Sequence, residues 1–135
     1  MHNKDLLWII DDDPILVYGI KKMLLSEFPE MNIETFPNGQ EAIDAFHEAL
    51  SGKQSLPDLL LLDLNMPIMD GWQFLEELLP LRPAKRLKID ILTSSIDPAD
   101  MQRFDRIQKK IYHQLSYQNK PMTRESLVRM IAGTQ

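Results

Sequence analysis

Three observations place this chain in the α/β class, as a parallel sheet covered by helices on both faces. Four consecutive leucines, Leu59 to Leu62, bounded by Pro57 and by polar residues, form a run too short for an ordinary helix. Such a run suits a strand buried on both faces of a parallel sheet. Short apolar runs alternate five times with segments of helical periodicity, without internal repeats, and this pattern calls for right-handed crossovers between parallel strands. The runs also stop abruptly at polar residues: at Asp11-Asp12-Asp13, at Asp63 and at Thr93-Ser94-Ser95. Open α/β sheets place their ligand sites at the carboxyl ends of strands, so Asp63 is a candidate for chemistry.

Composition narrows the function classes. The 135 residues, 44% hydrophobic and 26% charged, are those of one folded domain, expected to span 1–135 with a core of about 5–133 and no room for an output domain. No run approaches the ~18 apolar residues of a membrane span, and Met1 to Asp5 lack the apolar core of a signal peptide, so a cytoplasmic location without membrane contact is expected. The absence of cysteine excludes disulfides, thiolate metal sites and cysteine nucleophiles. A net charge of -5 and a pI near 5.1 argue against direct DNA binding, which draws on clustered Lys and Arg.

The elements follow in order. Leu6 to Ile10 reads as a central strand. Asp13 and Pro14 open a helix as cap and first residue, with Val17, Ile20, Leu24 and Phe28 on its buried face and Lys21, Lys22 and Glu27 toward water. Met31 to Phe36 alternates as a half-exposed edge strand. Asn38 and Glu41 have capping-box spacing, and Ala42, Ile43, Phe46 and Leu50 form the next buried face. Residues 51–55 are a loop into the leucine strand. After the loop 64–69 a helix starts near Asp70, with Phe74, Leu75, Leu78 and Leu79 apolar, and Pro80 and Pro83 close it. Ile89 to Thr93 is a fourth strand. Asp97-Pro98 starts a helix with Met101, Phe104, Ile107 and Ile111 inside. A weak strand around His113 to Asn119 precedes Lys120-Pro121, and a last helix from about Thr123 buries Leu127, Met130 and Ile131.

In such a sheet Asp11, Asp12, Asp63, Thr93 and Lys120 emerge at one edge. Carboxylates gathered there repel, by about 4 kcal/mol per pair at 4 Å and an effective dielectric of 20, so a cation belongs among them. Oxygen ligands without His or Cys favour a hard ion, and few protein ligands completed by water favour Mg²⁺. A divalent ion, a lysine and a hydroxyl around one carboxylate are equipment for phosphoryl transfer, with Asp63 as nucleophile forming an aspartyl phosphate.

The segments I-I-D-D-D-P at 9–14, L-L-L-L-D-L-N-M-P-I-M-D-G at 59–71, I-L-T-S-S at 91–95 and Y-Q-N-K-P at 117–121 together resemble those of response-regulator receiver domains, the phosphoacceptors of two-component and phosphorelay signalling. The resemblance covers about residues 5 to 133. It implies a flavodoxin-like doubly wound sheet of five strands in the order 2-1-3-4-5 with five helices. It implies that Asp63 accepts a phosphoryl group from a histidine kinase or histidine phosphotransfer protein. Asp12, Asp63 and the main-chain carbonyl of Asn65 would bind Mg²⁺ directly, and Asp11 mostly through water. Thr93 and Lys120 would hold phosphoryl oxygens, Thr93 and Tyr117 would act as the switch, and Asn65 and Ser95 would tune dephosphorylation. The resemblance also implies a cis Lys120-Pro121 peptide. A stand-alone receiver of this kind is a phosphoacceptor that assists its own phosphorylation and dephosphorylation, not an enzyme with turnover. It would act on a downstream protein target, with a possible homodimer through the 97–133 face.

Other readings compete. Asp13 and Asp70 fit helix caps. His2, His47 and His113 have no ligand spacing and read as surface residues. Arg103, Arg106, Lys109 and Lys110 read as a solvated helix face that could receive an acidic partner. An Asp-nucleophile, Mg²⁺-dependent phosphatase of the haloacid-dehalogenase kind would need D-x-D, whereas Asp63-Leu64-Asn65 ends in an amide. A flavin-binding module would need a phosphate loop where Asp11-Asp12-Asp13 would repel phosphate. A phosphate-independent adaptor of receiver shape also remains. The chain departs from the receiver pattern at Ile111 to Ser116, where a small-residue turn is usual, and Gln118 and Asn119 are polar for a strand. The fifth strand's boundaries stay open.

Overall fold

The leucine run forms β3 (Leu59–Leu62), and its alternation explains the two-sided core. Successive side chains of a strand point to opposite faces. Leu60 and Leu62 enter one hydrophobic cluster, while Leu59 and Leu61 enter the other. The computed structural model describes residues 5–132, so His2 and the end of the expected core lie outside the described residues.

The remaining elements are β1 (Leu6–Ile10), α1 (Pro14–Glu27), β2 (Asn32–Phe36), α2 (Gly39–Leu50), α3 (Gly71–Leu78), β4 (Lys88–Thr93), α4 (Pro98–Gln108), β5 (Gln114–Asn119) and α5 (Arg124–Ala132). The strands are all parallel, in the order β2-β1-β3-β4-β5, which is the expected doubly wound arrangement. Helices α1 and α5 cover the face carrying Leu7, Ile9, Leu59 and Leu61. Helices α2, α3 and α4 cover the face carrying Trp8, Ile10, Leu60, Leu62 and Ile91.

The caps follow the sequence. Asp13 Oδ1 accepts from the Ile15 and Leu16 amides, with Pro14 at the first helical position. Asp70 and Gln73 form a reciprocal capping box on α3. At α2 the Asn38 side chain accepts from the Glu41 amide, but Glu41 Oε2 accepts from the Asn38 side-chain amide, so only half of a capping box forms.

Four assignments change. Leu50 is exposed because Ala42, Ile43, Phe46 and Ala49 already complete the buried stripe of α2, and Leu50 lies one residue past it. Met101 is exposed because Asp100, in the same first turn of α4, is the residue that turns inward. Ile111 is buried, but in the turn beyond the end of α4. His113 is not a surface residue: it is 2% exposed, packs edge-on against Phe46, and its Nδ1 accepts from the Leu87 amide at 3.0 Å.

The polar character of the fifth strand also acquires a reason. On the α5 side of the sheet, buried Asp90 of β4 accepts from the Ser116 hydroxyl of β5 and lies 4.0 Å from Lys88 Nζ, which itself donates to the Met130 carbonyl of α5. Burial pushes the Asp90 carboxyl up, against the hydrogen bonds and the Lys88 charge that pull it down. A polar seam therefore joins β4, β5 and α5 where this fold class usually packs apolar side chains.

Candidate functional site

Strand register creates the site. Ile10 pairs with Leu62, and the Asp63 amide donates to the Ile10 carbonyl at 2.9 Å, so Asp11 and Asp63 leave the sheet side by side. Asp11 is held further by its own amide, which donates to Phe36 O at 3.0 Å. Both carboxylates are buried, at 7% and 6% exposure, and Asp12 faces solvent. One ligand oxygen from each of Asp11, Asp12 and Asp63 lies within 4.8 Å of the others.

Lys120 closes the group. Its Nζ donates to Asp11 Oδ2 at 3.1 Å and lies 3.6 Å from Asp63 Oδ1. It arrives there because the Lys120 amide donates to the Thr93 carbonyl at 2.8 Å, carrying the β4–β5 pairing one step past the strands; the Lys120-Pro121 peptide that follows is cis, as expected. Asp11 Oδ1 accepts from the Asp13 amide, and Asp63 Oδ1 accepts from the Leu64 amide, each at 2.9 Å.

The electrostatics are unbalanced. Burial, then the Asp11 charge, push the Asp63 carboxyl up to about 6, against Lys120 and the Asn65 and Leu64 amides that pull it down. Three carboxylates against one ammonium leave a formal excess of two negative charges, which a divalent cation would cancel. The donor set is oxygen only, and that suits a hard ion such as Mg²⁺.

The loop after Asp63 is clamped rather than free. The Gly71 amide donates to Leu64 O at 2.9 Å and the Gly39 amide to Met69 O at 2.8 Å. A Cβ at Gly71 would come 2.3 Å from the Asp63 carbonyl oxygen, so only glycine permits this approach. Ile68 sits at φ 70° at the exposed tip of this loop, an uncommon conformation for a β-branched residue.

The other expected residues take graded places. Thr93, fully buried, accepts the Ser95 amide on its hydroxyl at 3.1 Å. Tyr117 is half-buried against Phe104, with ring centroids 5.5 Å apart, on the α4 side of β5. Asn65 is exposed beside the acidic group, and Asp13 and Asp70 serve as caps. Sequence reading passed over Trp72 and Asp100, whose side chains meet at 2.9 Å. No spacing rule links residues on two different helices.

A doubly wound parallel sheet with a carboxylate group at its carboxyl edge defines an α/β ligand-binding domain. The family model of the response regulator receiver domain matches residues 7–132, and the chain belongs to that family. Among curated relatives, the protein-glutamate methylesterase/protein-glutamine glutaminase of Thiobacillus denitrificans is 35% identical over 85 residues, 63% of this chain but 22% of that protein. The chain thus spans under a quarter of the length of such relatives. Among solved structures, the phosphorylated cyanobacterial phytochrome response regulator RcpA superposes with a TM-score of 0.77 at 24% identity, covering 96% of this chain and 90% of that one. Chemotaxis response regulator CheY4 of Vibrio cholerae gives 0.75 at 20% identity, covering 98% and 99%. At these identities both show the fold. Receiver domains are phosphoacceptors that bind Mg²⁺ at an acidic group of this kind and interact with histidine kinases and downstream targets. No helix among the described residues is long and apolar enough to cross a membrane.

Proposed function

We propose that the protein is a cytoplasmic, Mg²⁺-dependent phosphorylation switch whose acceptor is Asp63. The donor is a histidine kinase or a histidine phosphotransfer protein. The P–N bond of its phosphohistidine breaks, the imidazole keeps the electron pair, and an Asp63 carboxylate oxygen bonds to phosphorus. The observation that carries this reading is the position of Asp63, a buried carboxylate 3.6 Å from Lys120 Nζ whose oxygen shares a 4.8 Å space with those of Asp11 and Asp12.

Asp12, Asp63 and the Asn65 carbonyl would hold Mg²⁺ directly and Asp11 through water; when bound it neutralises charge on the transferring oxygens. Lys120 and the Thr93 hydroxyl hold phosphoryl oxygens. Asn65, two residues past the acceptor, and Ser95, two residues past Thr93, set how readily water reaches the aspartyl phosphate. Thr93 and Tyr117 relay occupancy to the face built by α4, β5 and α5, which then binds or releases a downstream protein target. Moving that equilibrium from 1:99 to 99:1 takes about 5.5 kcal/mol of differential stabilisation, so partial switching is expected.

The rim of the site favours a protein donor over a small one. Ile15, Ile68 and Ile96 are 82%, 79% and 92% exposed; Ile15 stands in the first turn of α1, just after β1, and Ile68 and Ile96 stand on the connections that leave the carboxyl edge after β3 and β4. Exposed apolar groups around a charged centre suit a surface that another protein covers.

The test is intact mass after incubation with acetyl phosphate and Mg²⁺, with rapid quenching, beside Asp63→Asn. A magnesium-dependent gain of one phosphoryl group, absent in the variant, is expected. An unmodified wild-type protein that still folds and binds Mg²⁺ would overturn the reading in favour of a phosphate-independent adaptor.

A further inference from the structure

Ser95 is the most heavily tied residue of the β4–α4 connection. Its amide donates to Thr93 Oγ1 at 3.1 Å and its carbonyl accepts from Asn119 Nδ2 at 3.0 Å. Its hydroxyl accepts from the Asp97 amide at 3.2 Å and donates to Asp100 Oδ2. The other oxygen of that carboxylate, Asp100 Oδ1, accepts from the indole Nε1 of Trp72 at 2.9 Å. Trp72 is itself fixed, buried in the second residue of α3 with the Arg103 guanidinium over its ring at 5.1 Å. A single carboxylate thus bridges the helix that follows the Asp63 loop and the connection that follows Thr93, whose Ser95 amide bonds the Thr93 hydroxyl.

We propose that Asp100 is a positioning residue for phosphoryl transfer to Asp63, acting through Ser95 on the Thr93 hydroxyl; this rests on the reading of Asp63 as acceptor. Asp100 touches no reacting atom. With one oxygen anchored on Trp72, the other fixes the Ser95 hydroxyl, and the Ser95 amide then occupies a lone pair of Thr93 Oγ1. The Thr93 proton is left to be aimed at a phosphoryl oxygen. A side chain held in place before the reaction saves the cost of ordering it in the transition state. Ser95 thereby acquires a role besides any effect on hydrolysis. Asp100 also faces Tyr117, whose phenol is pushed up by burial and then by the Asp100 charge, so the same carboxylate reaches β5.

Rates of adduct formation on Asp63, measured by mass over a range of acetyl phosphate concentrations with saturating Mg²⁺, test this. Asp100→Asn keeps the shape and an acceptor for Trp72 but meets the Ser95 hydroxyl only as a neutral N–H donor, replacing the charge-assisted acceptor, and it preserves folding better than Asp100→Ala. Both substitutions, and Ser95→Ala, are expected to lower the maximal rate by about five- to tenfold and leave the half-saturating concentration unchanged. Ser95→Thr, which retains the hydroxyl, restores the rate. Because the two residues act as a unit, Ser95→Ala with Asp100→Ala is no slower than either alone. Folded variants that react at the wild-type rate, or losses that multiply in the double variant, overturn this role and leave Asp63 as acceptor. A wild-type protein that takes no phosphoryl group overturns the acceptor reading and this role with it.

Discussion

Lys120 Nζ lies nearer to Asp11 Oδ2, at 3.1 Å, than to Asp63 Oδ1, at 3.6 Å, so one ammonium serves two carboxylates and leans toward the one that is not the proposed acceptor. Moving it toward a phosphoryl group on Asp63 therefore breaks an existing pair, and a bound cation eases that step by compensating Asp11. Lys120→Met leaves two buried carboxylates unopposed. Without added metal, the Asp63 carboxyl should then titrate above its present value of about 6. The variant should lose about 2 kcal/mol at pH 7 and recover part of it as the pH falls through that raised value. Carboxyl NMR titration and urea unfolding at pH 5 and 7 check both; an unchanged Asp63 titration would refute the electrostatic account.

Magnesium dependence carries its own pH signature. The Asp63 carboxyl titrates near 6 in the folded chain against an ordinary 3.8. Between those values the folded state binds the extra proton, so this group's share of stability is full at low pH and is lost as pH rises through about 6. Mg²⁺ competes with that proton. At about ten times its dissociation constant it should add about 1.4 kcal/mol at pH 7.5 and much less at pH 5. Asp63→Asn should flatten the pH dependence, and Asp12→Asn should weaken binding at every pH. Thermal unfolding midpoints with and without Mg²⁺ measure the effect; a gain of equal size at pH 5 and 7.5 would count against it.

What the sequence showed and what it hid follow from the range of the interactions. Asp13, Asp70 and Asp97 are legible as caps because a cap bonds amides two or three residues away. The leucine run announces a strand buried on both faces because its alternation is local, and the acidic ends of β1 and β3 follow once those strands are set side by side. His113 is not legible as a buried residue because burial of its polar ring depends on the Leu87 amide 26 residues away. The Asp100 link to Trp72 spans 28 residues and two helices, and neither residue type signals the other. The seam of Asp90 and Ser116 likewise appears only when β4 pairs with β5.

Gly71 is the backbone condition for the site. Its missing side chain lets α3 begin against Asp63, where a Cβ would stand 2.3 Å from the Asp63 carbonyl oxygen and 2.9 Å from Leu64 Cα. Both obstacles are backbone, so neither swings away. Gly71→Ala should cost about 2–3 kcal/mol of stability and displace the Asp63–Asn65 segment. Magnesium affinity should fall with it, whereas Gly19→Ala, inside α1 where a Cβ meets nothing within 4 Å, should stabilise by about 0.5–1 kcal/mol and serves as the control. Chemical denaturation together with calorimetric Mg²⁺ titration reads both quantities. A Gly71→Ala protein as stable as the Gly19→Ala control would contradict the close approach.

His113 supplies a pH effect of the opposite sign. Its Nδ1 accepts from the Leu87 amide, its Nε2 has no hydrogen-bond partner among the described residues, and burial, then the Arg86 charge, push it down to about 4 from 6.5. Between pH 6.5 and 4 the unfolded chain binds the extra proton, so this contribution is complete above 6.5 and is lost as pH falls to about 4. Asp63 opposes it over an overlapping window, which masks it in the wild type. An Asp63→Asn background removes the masking. There, the parent should lose about 2–3 kcal/mol more between pH 7 and 4 than the same protein carrying His113→Asn, whose amide oxygen can still accept from Leu87. His113→Asn leaves space beside Phe46 and should be the less stable of the two at pH 7. The two stability curves must therefore approach each other as pH falls, and urea unfolding across that range would show a constant gap if the imidazole were not held neutral.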